Sequence, residues 1–396
     1  VTERLYYTDS YLTEFESQVT ACVPSGEKFE VFLAATAFYP TGGGQPNDLG
    51  VLSGRNVIDV ADREDGGVAH ILDGPLGPGA RVKGAVDWVR RFDHMQQHSG
   101  QHILSAAFES TAKARTESFH LGTASCTIDL NRVLSPAEIA QAEAEANRVV
   151  WDDREVRICF ASAESVAELE LRKEPTRAGT LRLIEMEGFD RSACGGTHVA
   201  RTGVVGIIAI TGWEKFKGGT RVEFVCGGRA LERLRSWRDV FSATSRVLSV
   251  LPEALAPSIE RLQRENKGLG RAVRELQGQL AVHKAAELVA SAGPAESGRI
   301  AIACALDGWD AAGLKGIATA AAAAAGVRIA VFSAASPALV VVARAADQGV
   351  DAAAVVKGLL GRFGGKGGGK PEFAQGGGLE GSLEEMQAFA RELLGR

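Results

Sequence analysis

Three of the seven histidines in this 396-residue chain fall at positions 94, 98 and 102, each about one helical turn from the next. Side chains at i and i+4 of a helix share a face, so His98 and His102 can present two imidazoles to one ion. Far along the chain comes Cys194-Gly-Gly-Thr-His198. Its two glycines let the backbone turn tightly enough for a thiolate and an imidazole to face one point. One cysteine and three histidines suit zinc, which takes nitrogen at about 2.0 Å and sulfur at about 2.3 Å. The expectation is one zinc per chain on His98, His102, Cys194 and His198. By spacing alone His94 can replace His98, donate to a phosphate, or orient a ligand from behind. Four protein ligands close a tetrahedral zinc, which fits a structural ion; a catalytic zinc would instead make hydroxide available near neutral pH.

The elements that must position these groups follow from periodicity. Residues 1–90 carry short alternating runs (18–23, 28–33, 81–88) separated by PTGGGQP and LDGPLGPG, which reads as a β-barrel-like domain. The pattern then changes to helices at 94–107 and 136–150, the second opened by Ser135 as N-cap and Pro136 at the first helical position. Strands are expected at 156–160, 179–185, 204–210 and 220–225, giving an α+β zinc domain over 91–227. Residues 228–292 read as a helical arm, with helices at 229–248 and 258–288 broken by Pro252 and Pro257. Its second helix repeats Ile259, Asn266, Val273 and Leu280 at one heptad position and Leu262, Leu269, Leu276 and His283 at the other. That spacing fits a coiled-coil arm or homodimer contact, and equally an amphipathic helix packed on its own domain, since Gly268, Gly270 and Gly278 weaken it. Residues 293–396 alternate strands (299–306, 327–332, 338–342) with helices (311–325, 352–363), the mark of a small α/β domain. The fold class expected is α+β multidomain.

Charged residues make up 23% and hydrophobic ones 45%, ordinary for a globular protein, and the net charge of −5 leaves any polyanion to a local basic patch. The six cysteines lack disulfide-like spacing, and no apolar run approaches the roughly 20 residues of a membrane span. The first residues do not read as a secretory signal. A cytoplasmic protein with reduced thiols and no membrane partner is expected.

Seven ordered segments resemble the long, free-standing alanyl-tRNA editing proteins, relatives of the editing half of alanyl-tRNA synthetase. They are LYYTDSYL (5–12), FYPTGGGQPNDLG (38–50), RFDHMQQHSGQHILSAAF (91–108), SFHLG (118–122), CGGTHVARTGVVG (194–206), KGGTRVEFVCG (217–227) and RFGGKGGGKPEFAQGGG (362–378). The resemblance implies metal ligands at His98, His102, Cys194 and His198, and a substrate of tRNA(Ala) mischarged with serine or glycine, hydrolysed in trans. It also implies that the C-terminal region is a DHH-associated, tRNA-binding domain. The Asp-His-His motif of DHH phosphoesterases is absent, so no nuclease or phosphatase activity is expected.

Physical logic supports a second sieve, because a pocket built for alanine rejects a missing methyl or an added hydroxyl by only about 1 to 3 kcal/mol. Candidates for the amino-acid pocket are Gln45 in the glycine loop and Thr116, Ser118 and His120 after the zinc helix. For each, a plain turn or strand edge is the bland alternative. Arg191, Arg201, Lys215, Lys217 and Arg221 are candidates for phosphate contacts, as are Lys366 and Lys370 in the glycine-rich tail, which otherwise reads as a linker. A rival of another class is a non-catalytic tRNA-binding protein with a structural zinc. The residues before the histidine helix leave no room for an ATP-binding aminoacylation domain, so a charging activity is not expected of this chain.

Overall fold

The structure, a computed structural model, describes residues 1–162, 171–172, 180–293 and 298–395. Contacts divide the chain into two compact units, Val1–Ala243 and Thr244–Arg396. In the first, six antiparallel strands close a barrel: β1 (Glu14–Ser25), β2 (Lys28–Leu33), β3 (Gly50–Leu52), β4 (Arg55–Asp62), β5 (Val68–Leu72) and β6 (Arg81–Val86), in the order β1-β2-β5-β4-β3-β6. Alternate residues of β6 point inward, and Phe15, Val31, Leu33, Phe38, Leu52 and Leu72 fill the interior. His70 is wholly buried among them. Its Nδ1 donates to the Val31 carbonyl at 3.0 Å, its Nε2 accepts from the Thr36 hydroxyl at 2.7 Å, and burial lowers its pKa to about 4.

The run 81–88 is strand only to Val86. Asp87 caps a helix by accepting the Arg90 N–H, so α1 (Trp88–Ala112) starts earlier than the apolar spacing indicates. Its middle, from Arg91 to Phe108, is almost wholly buried except at Phe92 and Asp93, which hides amphipathic periodicity. Against it pack α2 (Pro136–Trp151) and the antiparallel sheet of β7 (Thr116–Leu121), β8 (Cys126–Leu130), β12 (Ile208–Phe216) and β13 (Gly219–Cys226), ordered β12-β13-β8-β7. Ser135 and Glu138 form a reciprocal capping box on α2. A three-stranded sheet joins β9 (Val156–Ala161), β10 (Leu181–Met186) and β11 (Asp190–Ala193). The strand expected at 204–210 is corrected: Thr202–Val205 is a 3₁₀ turn, and β12 begins only after Gly206, whose φ of 81° suits glycine. Gly179, expected in a strand, lies outside the described residues.

Helix α3 (Gly227–Leu248) leads out of the first unit, and α4 (Leu255–Ser291) belongs to the second. Pro257 does not break α4, because the N–H it lacks would have no acceptor in the first turn. Ala281 and Ala285 of α4 are buried in the second unit's core, while Ile259, Leu262, Leu269, Val273, Leu276 and Leu280 are exposed. That core is completed by α5 (Ala311–Ala321), α6 (Ala352–Phe363), α7 (Leu383–Gly395) and a sheet. The sheet's strands are β14 (Ile300–Leu306), β15 (Val327–Ser333), β16 (Ala338–Arg344), β17 (Lys366–Lys370) and β18 (Phe373–Leu379), ordered β14-β15-β16-β18-β17, with only β14 and β15 parallel. The alanine-rich helix stops at Ala321, short of 325. The glycine-rich tail is no linker: β17 and β18 form a hairpin so close that a Cβ at Gly367 would lie 2.4 Å from the facing backbone. Among the described residues no helix is long and apolar enough to cross a membrane.

Candidate metal centre

Helix α1 presents His98 and His102 one turn apart, and the segment after β11 brings Cys194 and His198 against them. One donor atom from each of the four lies within 4.8 Å of the others. The Cys194 Sγ is 3.4 Å from His98 Nε2 and 3.3 Å from His198 Nε2. Ligands at about 2.0 and 2.3 Å from a tetrahedral zinc stand roughly 3.5 Å apart, so the donor set fits that ion. His94, one turn earlier, is not part of the cluster. Its ring is buried and uncharged, with a pKa lowered to about 4 by burial and then by the Arg90 charge.

Each imidazole has its far nitrogen held by a different element. His98 Nδ1 donates to Gln45 Oε1 at 2.7 Å, His102 Nδ1 to Asp190 Oδ2 at 3.0 Å, and His198 Nδ1 meets Ser99 Oγ at 3.1 Å. Gln45 Oε1 also accepts the Thr197 N–H, and Asp190 is an acceptor only, so Nδ1 of His98 and His102 carries the donated proton and Nε2 is the nitrogen turned toward the metal position. Asp190 is itself fixed by Arg172 at 2.6 Å and by Ser192. Burial alone would raise its pKa, but His102 and Arg172 hold it at about 2. Burial likewise disfavours charge on His102, yet Asp190 and Cys194 raise it to about 9. Burial resists the Cys194 thiolate too, but electrostatic interaction with the His98 and His198 rings, with hydrogen bonds from His102 and His198, brings its pKa well below the ordinary thiol value.

The turn from 194 to 199 is pinned throughout. Arg182 donates to the carbonyls of Cys194 and Gly196 at 2.7 and 2.9 Å, while the N–H groups of His198 and Val199 reach Ser10 and Ser99. Neither Gly195 nor Gly196 has a positive φ. Glycine is required at 196 for space instead, since a Cβ there would lie 2.2 Å from the His98 ring. The barrel loop carrying Gln45 is tied to α1 by the fully buried pair of Arg91 and Asp48, whose atoms approach to 2.5 Å.

A cavity of about 660 Å³ opens on His102 and Cys194, walled by Tyr7, Tyr39, Phe119 and Thr116, with Arg4, Arg172 and Arg182 around it. Thr116 lines it, but Ser118 and His120 do not: Ser118 donates to Asp129 at 2.6 Å. The cause is a bulge at Glu117, which pairs Ser118 with Asp129 but Thr116 with Leu130 and so breaks the alternation. Gln45 lies behind His98, not in the cavity. Of the basic residues near the second motif, Arg191, Arg201 and Arg221 pair with Glu185, Asp153 and Asp129, and Lys217 lies over the Phe216 ring. Asp190, Ser99, Arg182 and Gln101 were not legible as site residues. Each is a lone polar residue whose partner is distant in sequence or has no motif.

Residues 181–223 match the Threonyl and Alanyl tRNA synthetase second additional domain, and residues 298–396 match the DHHA1 domain. Alanyl-tRNA editing protein Aarsd1 of Rattus norvegicus is 34% identical over 301 residues, covering 72% of this chain and 73% of its own. Alanyl-tRNA editing protein AlaX-L of Pyrococcus horikoshii is 34% identical over 66% of both chains. An alanine–tRNA ligase of Ignicoccus hospitalis is 33% identical over 70% of this chain but only 32% of its own.

Proposed function

The chain belongs to the family of alanyl-tRNA editing proteins, and from that premise we propose that it is a zinc-dependent deacylase of tRNA(Ala) mischarged with serine or glycine. The observation that carries this reading is the cavity opening directly on His102 and Cys194, of a size typical for small-molecule sites. His98, His102, Cys194 and His198 would hold the zinc. When bound, the ion supplies Lewis-acid chemistry, polarising water or ester, or orienting the substrate's amino group. Gln45, Asp190 and Ser99 keep the three rings in the metal-binding orientation. Tyr7, Tyr39, Phe119 and Thr116 enclose the amino acid and terminal ribose. Arg4 and Arg172 meet the phosphates of the acceptor end.

The layout supports a division into a barrel, a zinc editing domain, a helical arm and a tRNA-binding C-terminal domain. The exposed strand β17, with Lys366 and Lys370, grips the body of the tRNA. Self-association would use the exposed Ile259, Leu262, Leu269, Val273 and Leu276 of α4. A substrate that is charged in the cytoplasm puts the protein there.

Deacylation of seryl-, glycyl- and alanyl-tRNA(Ala), each with and without a chelator, tests the reading. Seryl- and glycyl-tRNA(Ala) should be hydrolysed, alanyl-tRNA(Ala) spared, and the chelator should abolish turnover. Equal hydrolysis of all three would end the sieve argument. A His98→Ala protein that folds, binds tRNA and deacylates at the wild-type rate would leave only a structural zinc.

A further inference from the structure

Gln101 precedes His102 on α1, is 2% exposed, and lines the cavity. Its Nε2 donates to Ser105 Oγ at 2.8 Å, and that same oxygen accepts the Thr116 hydroxyl at 2.7 Å. With the amide in this orientation its Oε1 is buried with no partner among the described residues. A buried acceptor without a donor costs about 1 to 3 kcal/mol, so such an atom beside a cavity is either a defect or one half of a contact that a ligand completes.

The geometry points to Gln101 Oε1 as the acceptor that reads the side-chain hydroxyl of a seryl group. This rests on the deacylase reading above and adds the residue that sets its choice of serine. A hydroxyl donor satisfies the orphaned oxygen, whereas alanine in the same pose leaves it desolvated and unpaired. The α-ammonium is the other donor every aminoacyl ester carries. It is disfavoured here because Arg4, Arg172 and Arg182 already line this cavity, and a neutral amide oxygen offsets little of the cost of a further buried cation. Ser105 acts as the hub, holding Gln101 and Thr116 with one oxygen, so the two cavity-lining side chains are set together.

Gln101→Met keeps the length of the side chain and removes the acceptor. In the zinc-loaded protein, kcat/KM on seryl-tRNA(Ala) is expected to fall roughly 10- to 100-fold, and on glycyl-tRNA(Ala) to stay within about threefold of wild type. Metal content and thermal midpoint should be unchanged. Gln101→Glu retains an oxygen at the same place, with Ser105 free to turn its hydroxyl toward the second oxygen, and should recover most of the serine activity. Equal losses on both substrates, or no loss on serine, overturn the assignment. Loss of metal or of the fold in both variants assigns Gln101 a structural role and overturns it too. A wild-type protein inert on both substrates refutes the deacylase reading itself, and this inference with it.

Discussion

Replacing Gly196 by alanine would put a methyl carbon 2.2 Å from Cε1 and 2.3 Å from Nδ1 of His98, and 2.9 Å from Gln45 Oε1. Carbon atoms in contact rest at about 3.5 Å, so the ring would have to retreat by roughly 1 Å. It has nowhere to go, being fully buried and tied through Nδ1 to Gln45, which is also bonded to Thr197. A shift of that size is half a zinc–nitrogen bond length, and disturbing a ligand's support costs about 10- to 100-fold in metal affinity, or about 1.4 to 2.8 kcal/mol. Gly195 provides the internal control. A Cβ there meets the Tyr7 side chain, nearest at its hydroxyl at 3.4 Å, an ordinary contact. Competition with a zinc chelator should show Gly196→Ala releasing metal at least tenfold more readily than wild type, with Gly195→Ala close to wild type. Indistinguishable affinities for wild type and Gly196→Ala would refute the steric account of the second glycine.

Two further outcomes follow from buried charges. Arg91→Met strands the Asp48 carboxylate in the interior, which should destabilise the first unit by about 3 to 5 kcal/mol and weaken metal binding, read by thermal melting and chelator competition. His70 has a folded pKa of about 4 against 6.5 unfolded, so its contribution is whole above pH 6.5 and lost as the pH falls toward 4. Between pH 7.5 and pH 5 that amounts to about 2 kcal/mol, and urea titrations should find His70→Gln less sensitive to that pH change by this amount.

The four candidate ligands were legible because each pair is local: one helical turn separates His98 from His102, and Cys194 and His198 lie four positions apart. The groups that orient them were not. Asp190 reaches His102 only because β11 turns back along β10, and Gln45 reaches His98 from a barrel loop, neither of which is encoded in spacing. Thr116 and Ser118 were pocket candidates alike, and one bulge separated them. The barrel was readable from its short alternating runs, while the start of α1 was obscured because its first residues, Trp88 and Val89, are apolar yet exposed and so carry no amphipathic signature. Hairpin β17–β18 was obscured for the opposite reason, its glycines carrying no pattern at all.

Gln45 touches both His98 and Thr197, so the barrel loop and the CGGTH turn share one hydrogen-bonding unit across 152 positions of sequence. Where a related protein differs at either end of this unit, neither piece can be exchanged alone. A chimera that takes its barrel from one parent and its cysteine turn from another inherits half of a bond on each side. Recombination within this fold should therefore preserve both segments as a linked pair, however freely the sequence between them drifts.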